Sequence, residues 1–104
     1  MLSPEDEAEL RATADEVSAI RAQLAQAPAD MVVANHVMGL YELAAVLLSQ
    51  DPPHFVEARL AIDAMTGVME RCKGRLGDAE ATLVGAVQQL QLTFVTLTSQ
   101  QSTG

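Results

Sequence analysis

Hydrophobic and polar positions alternate with the period of an α-helix along almost the whole chain. Four helical segments follow, one from Pro4 to about residue 28 and three more at 31–49, 52–73 and 78–97. The connections are short, which favours antiparallel neighbours. The sequence therefore predicts an all-α fold: a small antiparallel helical bundle of three body helices (30–97), an N-terminal acidic amphipathic helix (1–28) and a polar tail (98–104).

The first helix has both a start signal and a narrow apolar stripe. Ser3 is the predicted N-cap, and Pro4 and three acidic residues follow it, where they favour the helix dipole. The stripe repeats every seven residues: Leu10, Val17 and Leu24, with Ala14 and Ile20 beside them. Such a stripe suits a helix that lies against another element, either across the body or extending away from it.

The second helix is apolar around most of its circumference. Asp30 is its predicted N-cap, and fourteen of the eighteen residues 31–48 are apolar or tyrosine. The exceptions are Asn35, His36, Gly39 and Glu42. A helix that is apolar on nearly all sides is predicted to be buried on nearly all sides.

One chain offers too little material to bury that helix. Leu40, Leu43 and Leu47 are predicted to face the apolar stripes of the third and fourth helices, which are Ile62, Met65 and Met69, then Leu83, Val87, Leu90 and Phe94. The opposite side then needs a cover, and a second copy of the chain is the preferred one. The candidate partner-binding residues are Met31, Ala34, Met38, Tyr41 and Ala45.

Local signals also define the third and fourth helices. Arg59 and Asp63 lie four residues apart on the polar side of the third helix, where they can form an ion pair. Gly74 is placed to end this helix in the left-handed conformation. Asp78 is the predicted N-cap of the fourth helix.

Composition and charge limit the class of protein. The 104 residues are 49 % hydrophobic, enough for one core, and the single cysteine, Cys72, excludes an internal disulfide. The N-terminus lacks the pattern of a secretory signal, so a cytoplasmic location is expected. A net charge of −8 disfavours nucleic acid and anionic membranes as partners. Segment 31–48 is long enough to span a membrane, but its polar residues and the lack of flanking bases favour a soluble helix.

No residue pattern predicts an enzyme, a cofactor or a metal site. His36, His54 and Cys72 lack the spacing of metal ligands. His36 is expected in the core or an interface. Cys72 has basic neighbours but ends an apolar stripe, which favours packing over reactivity. Glu42 would be an acid–base candidate if buried, and the simpler interpretation places it on a solvated strip with Asn35 and Gly39.

Five short features stand in order along the second half of the chain: Ala58-Arg59-Leu60-Ala61-Ile62-Asp63, Lys73-Gly74-Arg75-Leu76, Glu80, Leu83 and Leu90-Gln91-Leu92-Thr93-Phe94-Val95. Through these features the chain, from residue 33 to residue 95, resembles a family of small bacterial proteins known as domain of unknown function eighteen-forty-four. Members often carry basic residues where Gln91 and Thr93 stand here. The resemblance implies a helical domain and no assigned activity.

Two functions remain open at this point. The leading hypothesis is a protein–protein interaction module that self-associates, with another protein as the other possible partner. The alternative is a helical domain that binds an apolar small molecule or an acyl chain in a cavity lined by the second helix. An enzyme that uses Glu42 or Cys72 ranks third.

Overall fold

The computed structural model describes residues 1–103, which form four α-helices and contain no strand. The helices are α1 (Pro4–Gln26), α2 (Ala29–Leu48), α3 (Phe55–Arg71) and α4 (Glu80–Thr103). One turn of 3-10 helix, Gly77–Ala79, precedes α4. The predicted all-α fold is confirmed.

Local chemistry sets several of the helix ends as predicted. The Ser3 hydroxyl oxygen accepts the N–H of Asp6 at 3.1 Å, which caps α1. Gly74 follows α3 with a φ of +80°, in the left-handed region where glycine carries no steric penalty. Arg59 and Asp63 form the predicted ion pair at 3.8 Å, and both side chains are exposed, so it adds little to stability.

Other predicted boundaries are wrong. Pro28 is the N-cap of α2, and Asp30 lies in its first turn, where its carboxylate accepts the N–H of Met31 at 2.9 Å. The third helix begins at Phe55 rather than at residue 52, because a residue before a proline is disfavoured in the helical conformation and Pro52 and Pro53 are adjacent. Asp78 lies within the 3-10 turn.

The fourth helix continues through most of the segment predicted as a polar tail. It runs to Thr103, six residues beyond the predicted end at residue 97, and Gly104 lies outside the described residues. The hydroxyl of Thr98 donates to the carbonyl oxygens of Phe94 and Val95, each at 3.0 Å, so its polar side chain is satisfied within the helix. A polar composition at the end of this segment is therefore compatible with helix.

The three body helices, α2, α3 and α4, share one core. Helix α2 packs against both of the others and most extensively against α3. The buried side chains come from all three helices and the turn before α4: Ala34, Val37, Ala44, Leu48, Ala58, Ala61, Ile62, Met65, Met69, Leu76, Leu83, Val87 and Leu90. Several are alanines, and small side chains let helix backbones approach closely.

Helix α1 takes no part in that core. Every residue in 1–26 is exposed, and α1 contacts none of the other helices. The radius of gyration is 20.2 Å, whereas a compact chain of this length has about 13 Å. The longest dimension is 68 Å, close to the summed length of two helices of 23 and 20 residues placed end to end at about 1.5 Å per residue. The N-terminal helix therefore extends away from the body.

The predicted burial of α2 on nearly all sides is wrong for the single chain. Only Ala34, Val37, Ala44 and Leu48 are buried among its twenty residues. This stripe lies between the two faces predicted for the helix, and Leu43, predicted to face the core, is 49 % exposed. The two alanines in the stripe allow close contact with the neighbouring helices, which turns the larger side chains to the flanks.

Candidate interaction surface

The apolar stripe of α1 is exposed to solvent along its full length. Leu10, Val17, Ile20 and Leu24 have exposed fractions between 43 % and 63 %, values that exclude any cover from the same chain. A helix of this kind owes most of its stability in proteins to packing of its apolar face. The stripe is therefore an apolar surface that the chain leaves without a contact.

The five residues predicted to bind a partner do not form one free face. Ala34 is 4 % exposed and belongs to the core of the single chain. Met38, Tyr41 and Ala45 are half-buried and pack against that core. Met31 is 60 % exposed and is the one member of the set fully available to a partner. The free part of α2 lies elsewhere on its surface.

The solvent side of α2 carries the polar strip as well as apolar side chains. Asn35, Gly39 and Glu42 are all exposed, in agreement with a solvated strip. Val46, beside them, is 57 % exposed. His36 is exposed too, which excludes it from the core of the single chain, and its alternative place in an interface stays a prediction. Because Glu42 is in water, burial does not prepare it for acid–base chemistry.

A second apolar feature is a groove of about 380 Å³ between α2 and α3. Apart from Glu57, its walls are apolar: Leu40, Leu43, Leu47, Leu60, Ala61 and Ala64. Leu60 is 73 % exposed, so the groove is open to solvent rather than enclosed. Leu60 and Val56 lie outside the apolar stripe that was predicted for the third helix. Large apolar side chains outside that stripe are the sequence feature from which this exposed surface could have been predicted.

The turn between α3 and α4 is held by one carboxylate. The Glu80 oxygens accept the backbone N–H groups of Gly74 at 2.8 Å and Leu76 at 2.9 Å. These hydrogen bonds lower the pKa of the Glu80 carboxyl, the N–H of Leu76 most and that of Gly74 next. Burial raises the same pKa, and the N–H of Arg75 and the positive charge of Lys73 lower it further. Glu80 therefore fixes the turn instead of serving as a free acid.

The remaining candidate groups are dispersed. His54 is the N-cap of α3 and Cys72 is its C-cap, at opposite ends of a 17-residue helix. Cys72 is half-buried against the core, which fits a packing role. Residues 1–103 contain no group of three His, Cys, Asp or Glu side chains placed to hold a metal ion.

Helix α2 also has the length and composition of a membrane span. Its most apolar window has a mean hydropathy of 1.6, and 22 % of that window is buried in the chain. A core helix of a soluble protein can have the same composition. The exposed Asn35, His36 and Glu42 side chains would have to be desolvated in a bilayer, which is costly for polar groups.

No family model matches the chain, and no curated protein or solved structure is significantly similar to it.

Proposed function

We propose that this protein is a self-associating interaction module, a homodimer that acts through protein contacts and has no catalytic activity of its own. The single observation that carries the proposal is the surplus of exposed surface. The solvent-accessible surface is 7731 Å², whereas a compact monomer of 11.1 kDa exposes about 5,700 Å². The surplus is about 2,000 Å² per chain.

That surplus has the size of an obligate dimer interface. Standard interfaces bury about 800 Å² on each partner, and obligate homodimers bury about 1,000–2,500 Å². The surplus surface includes large apolar side chains on all four helices, among them Ile20, Val46, Leu60 and Leu92, each more than half exposed. Where such side chains adjoin one another, as at successive turns of the α1 stripe, exposed apolar surface typically marks a site of protein contact.

A protein partner fits the charge of the chain better than the other classes of partner. The net charge of −8 opposes binding to nucleic acid and to anionic membrane surfaces. The proposal also keeps the cytoplasmic location that the N-terminal residue pattern led us to expect, and it includes no cofactor. Membership of the domain family eighteen-forty-four belongs to the same proposal and adds no activity to it.

The acyl-chain alternative has less support. Small-molecule sites bury about 70–90 % of the ligand surface. The α2–α3 groove is apolar, but its walls include the exposed Leu43 and Leu60, so a ligand there would remain largely in water.

Light scattering and sedimentation from micromolar to millimolar chain concentration test the proposed function. The expected mass is twice the 11.1 kDa of the chain. Hydrogen exchange gives a second readout, because α1 amides exchange slowly only if a partner covers the helix. A well-folded monomer over the whole range, with α1 amides unprotected, would overturn the proposal.

A further inference from the structure

We infer that α1 pairs with α1 of a second copy as a parallel two-stranded coiled coil. This inference rests on the proposed self-association and specifies which surface performs it. The partner that covers the exposed apolar stripe of α1 is thus α1 of the second copy.

The stripe has the register of a coiled-coil seam. Leu10, Val17 and Leu24 occupy successive a positions, and Thr13 and Ile20 occupy the d positions between them. A strict a and d stripe is narrower than the face by which a helix packs onto a globular body. Ser3 and Asp6 stand at the preceding a and d positions, and Ala27, at the following d position, has extended backbone beyond the end of α1, so the seam is confined to 10–24. With Thr13 inside it, the pairing is weak enough to depend on concentration.

The charges that flank this seam favour a second copy in parallel orientation. Glu16 occupies a g position and Arg21 the following e position. In a parallel pair, Glu16 of each chain faces Arg21 of the second copy, which gives two ion pairs. In an antiparallel pair g faces g and e faces e, so neither ion pair forms.

Neither charge is used within the chain. The ion pair between Arg59 and Asp63 is the one that residues 1–103 contain, and residues five apart on a helix, such as 16 and 21, do not face each other. Glu16 and Arg21 are both exposed. The pairing also places the two bodies side by side at the C-terminal end of α1, where the exposed Met31 lies. Body contacts there can bury further surplus surface.

Charge reversal tests the inference. Glu16→Arg and Arg21→Glu each convert two attractions into two repulsions, and each should weaken the homodimer about tenfold at low salt. A mixture of the two variants restores both attractions, so it should form a heterodimer as tight as the wild-type homodimer. The matched controls lie on the outer face of α1: Asp15→Arg at an f position and Arg11→Glu at a b position, both without effect on the dimer.

A disulfide tests the orientation. In a Cys72→Ser background, Leu24→Cys brings its two thiols together across the seam only in the parallel pair, so oxidation should yield a covalent dimer. A wild-type dimer that tolerates both charge reversals, or that fails to cross-link through residue 24, overturns the coiled coil and leaves the proposed self-association intact. A wild-type chain that is monomeric overturns both.

Discussion

The rings of Phe55 and Phe94 meet edge to face, with their centroids 5.7 Å apart and their planes at 87°. This geometry is the favourable one for an aromatic pair, because the positive edge of one ring meets the negative face of the other. It joins the first turn of α3 to the C-terminal half of α4, where both side chains are half-buried. The pair therefore closes one end of the bundle.

Phe94→Ala should lower the free energy of unfolding by about 2 kcal/mol, roughly half the loss expected for a fully buried ring. Urea denaturation followed by circular dichroism measures the change. Leu92→Ala is the matched control, because Leu92 is on the same helix and 66 % exposed, and its effect should stay within about 0.5 kcal/mol. Equal stability of the two variants would contradict a packing role for the ring pair.

Gly77→Ala should destabilise the fold more than Gly74→Ala. Both glycines have positive φ, +69° and +80°, so alanine is strained at either position. At Gly77 a Cβ would also lie 2.6 Å from the Asp30 carboxylate oxygen, whereas at Gly74 it would meet nothing within 4 Å. The excess should be about 1 kcal/mol, and Asp30→Ala in the same chain should remove it. An excess that persists without the Asp30 carboxylate would point away from this contact.

Glu80→Gln should lower the urea midpoint at neutral pH and make stability less dependent on pH. The folded chain lowers the pKa of the Glu80 carboxyl below its ordinary value of 4.5, so the ionised group stabilises the fold above that value. This stabilisation is lost as the pH falls through the folded pKa, and the difference between variant and wild type should shrink from about pH 5 downward. Glu70→Gln, on the exposed side of α3, is the control. A difference that stays constant through this range would show that the carboxylate charge is not what holds the turn.

Ala44→Leu should destabilise the body by about 1–3 kcal/mol, because Ala44 is fully buried and the added atoms must displace neighbouring helices. Thermal unfolding monitored by circular dichroism measures it. Ala81→Leu, at an exposed position of α4, adds the same atoms in water and should change little. If Ala44→Leu unfolds like the wild type, α2 does not approach its neighbours as closely as the structure shows.

Signals that act within one turn of helix could be predicted from the sequence. The Ser3 cap, the left-handed Gly74 and the Arg59–Asp63 pair depend on residues at most four positions apart, and each is present. The end of α4 could not be predicted, because the Thr98 hydroxyl donates hydrogen bonds to carbonyl oxygens of its own helix. A polar residue at this position therefore does not indicate that the helix ends.

The rotation of α2 could not be predicted for a different reason. A helix that is apolar on most sides lacks a polar face wide enough to show which side is buried. Leu43, which was predicted to face the core, is exposed, whereas the small Ala34 and Ala44 are buried. Which side of α2 is buried is decided by close packing of the helices, and this packing depends on α3 and α4 as much as on α2. For this reason the candidate interaction surface is the exposed stripe of α1 and not the five predicted residues of α2.

Only Ala27 and Pro28 separate α1 from α2, and both have extended backbone. Helix α1 is about 34 Å long, so each 10° of rotation about these two residues displaces its N-terminal end by about 6 Å. A pair of dyes, one near Ser3 and one on α3, would read that rotation as a change in energy transfer. The direction of α1 relative to the body is therefore set by the backbone dihedral angles of Ala27 and Pro28.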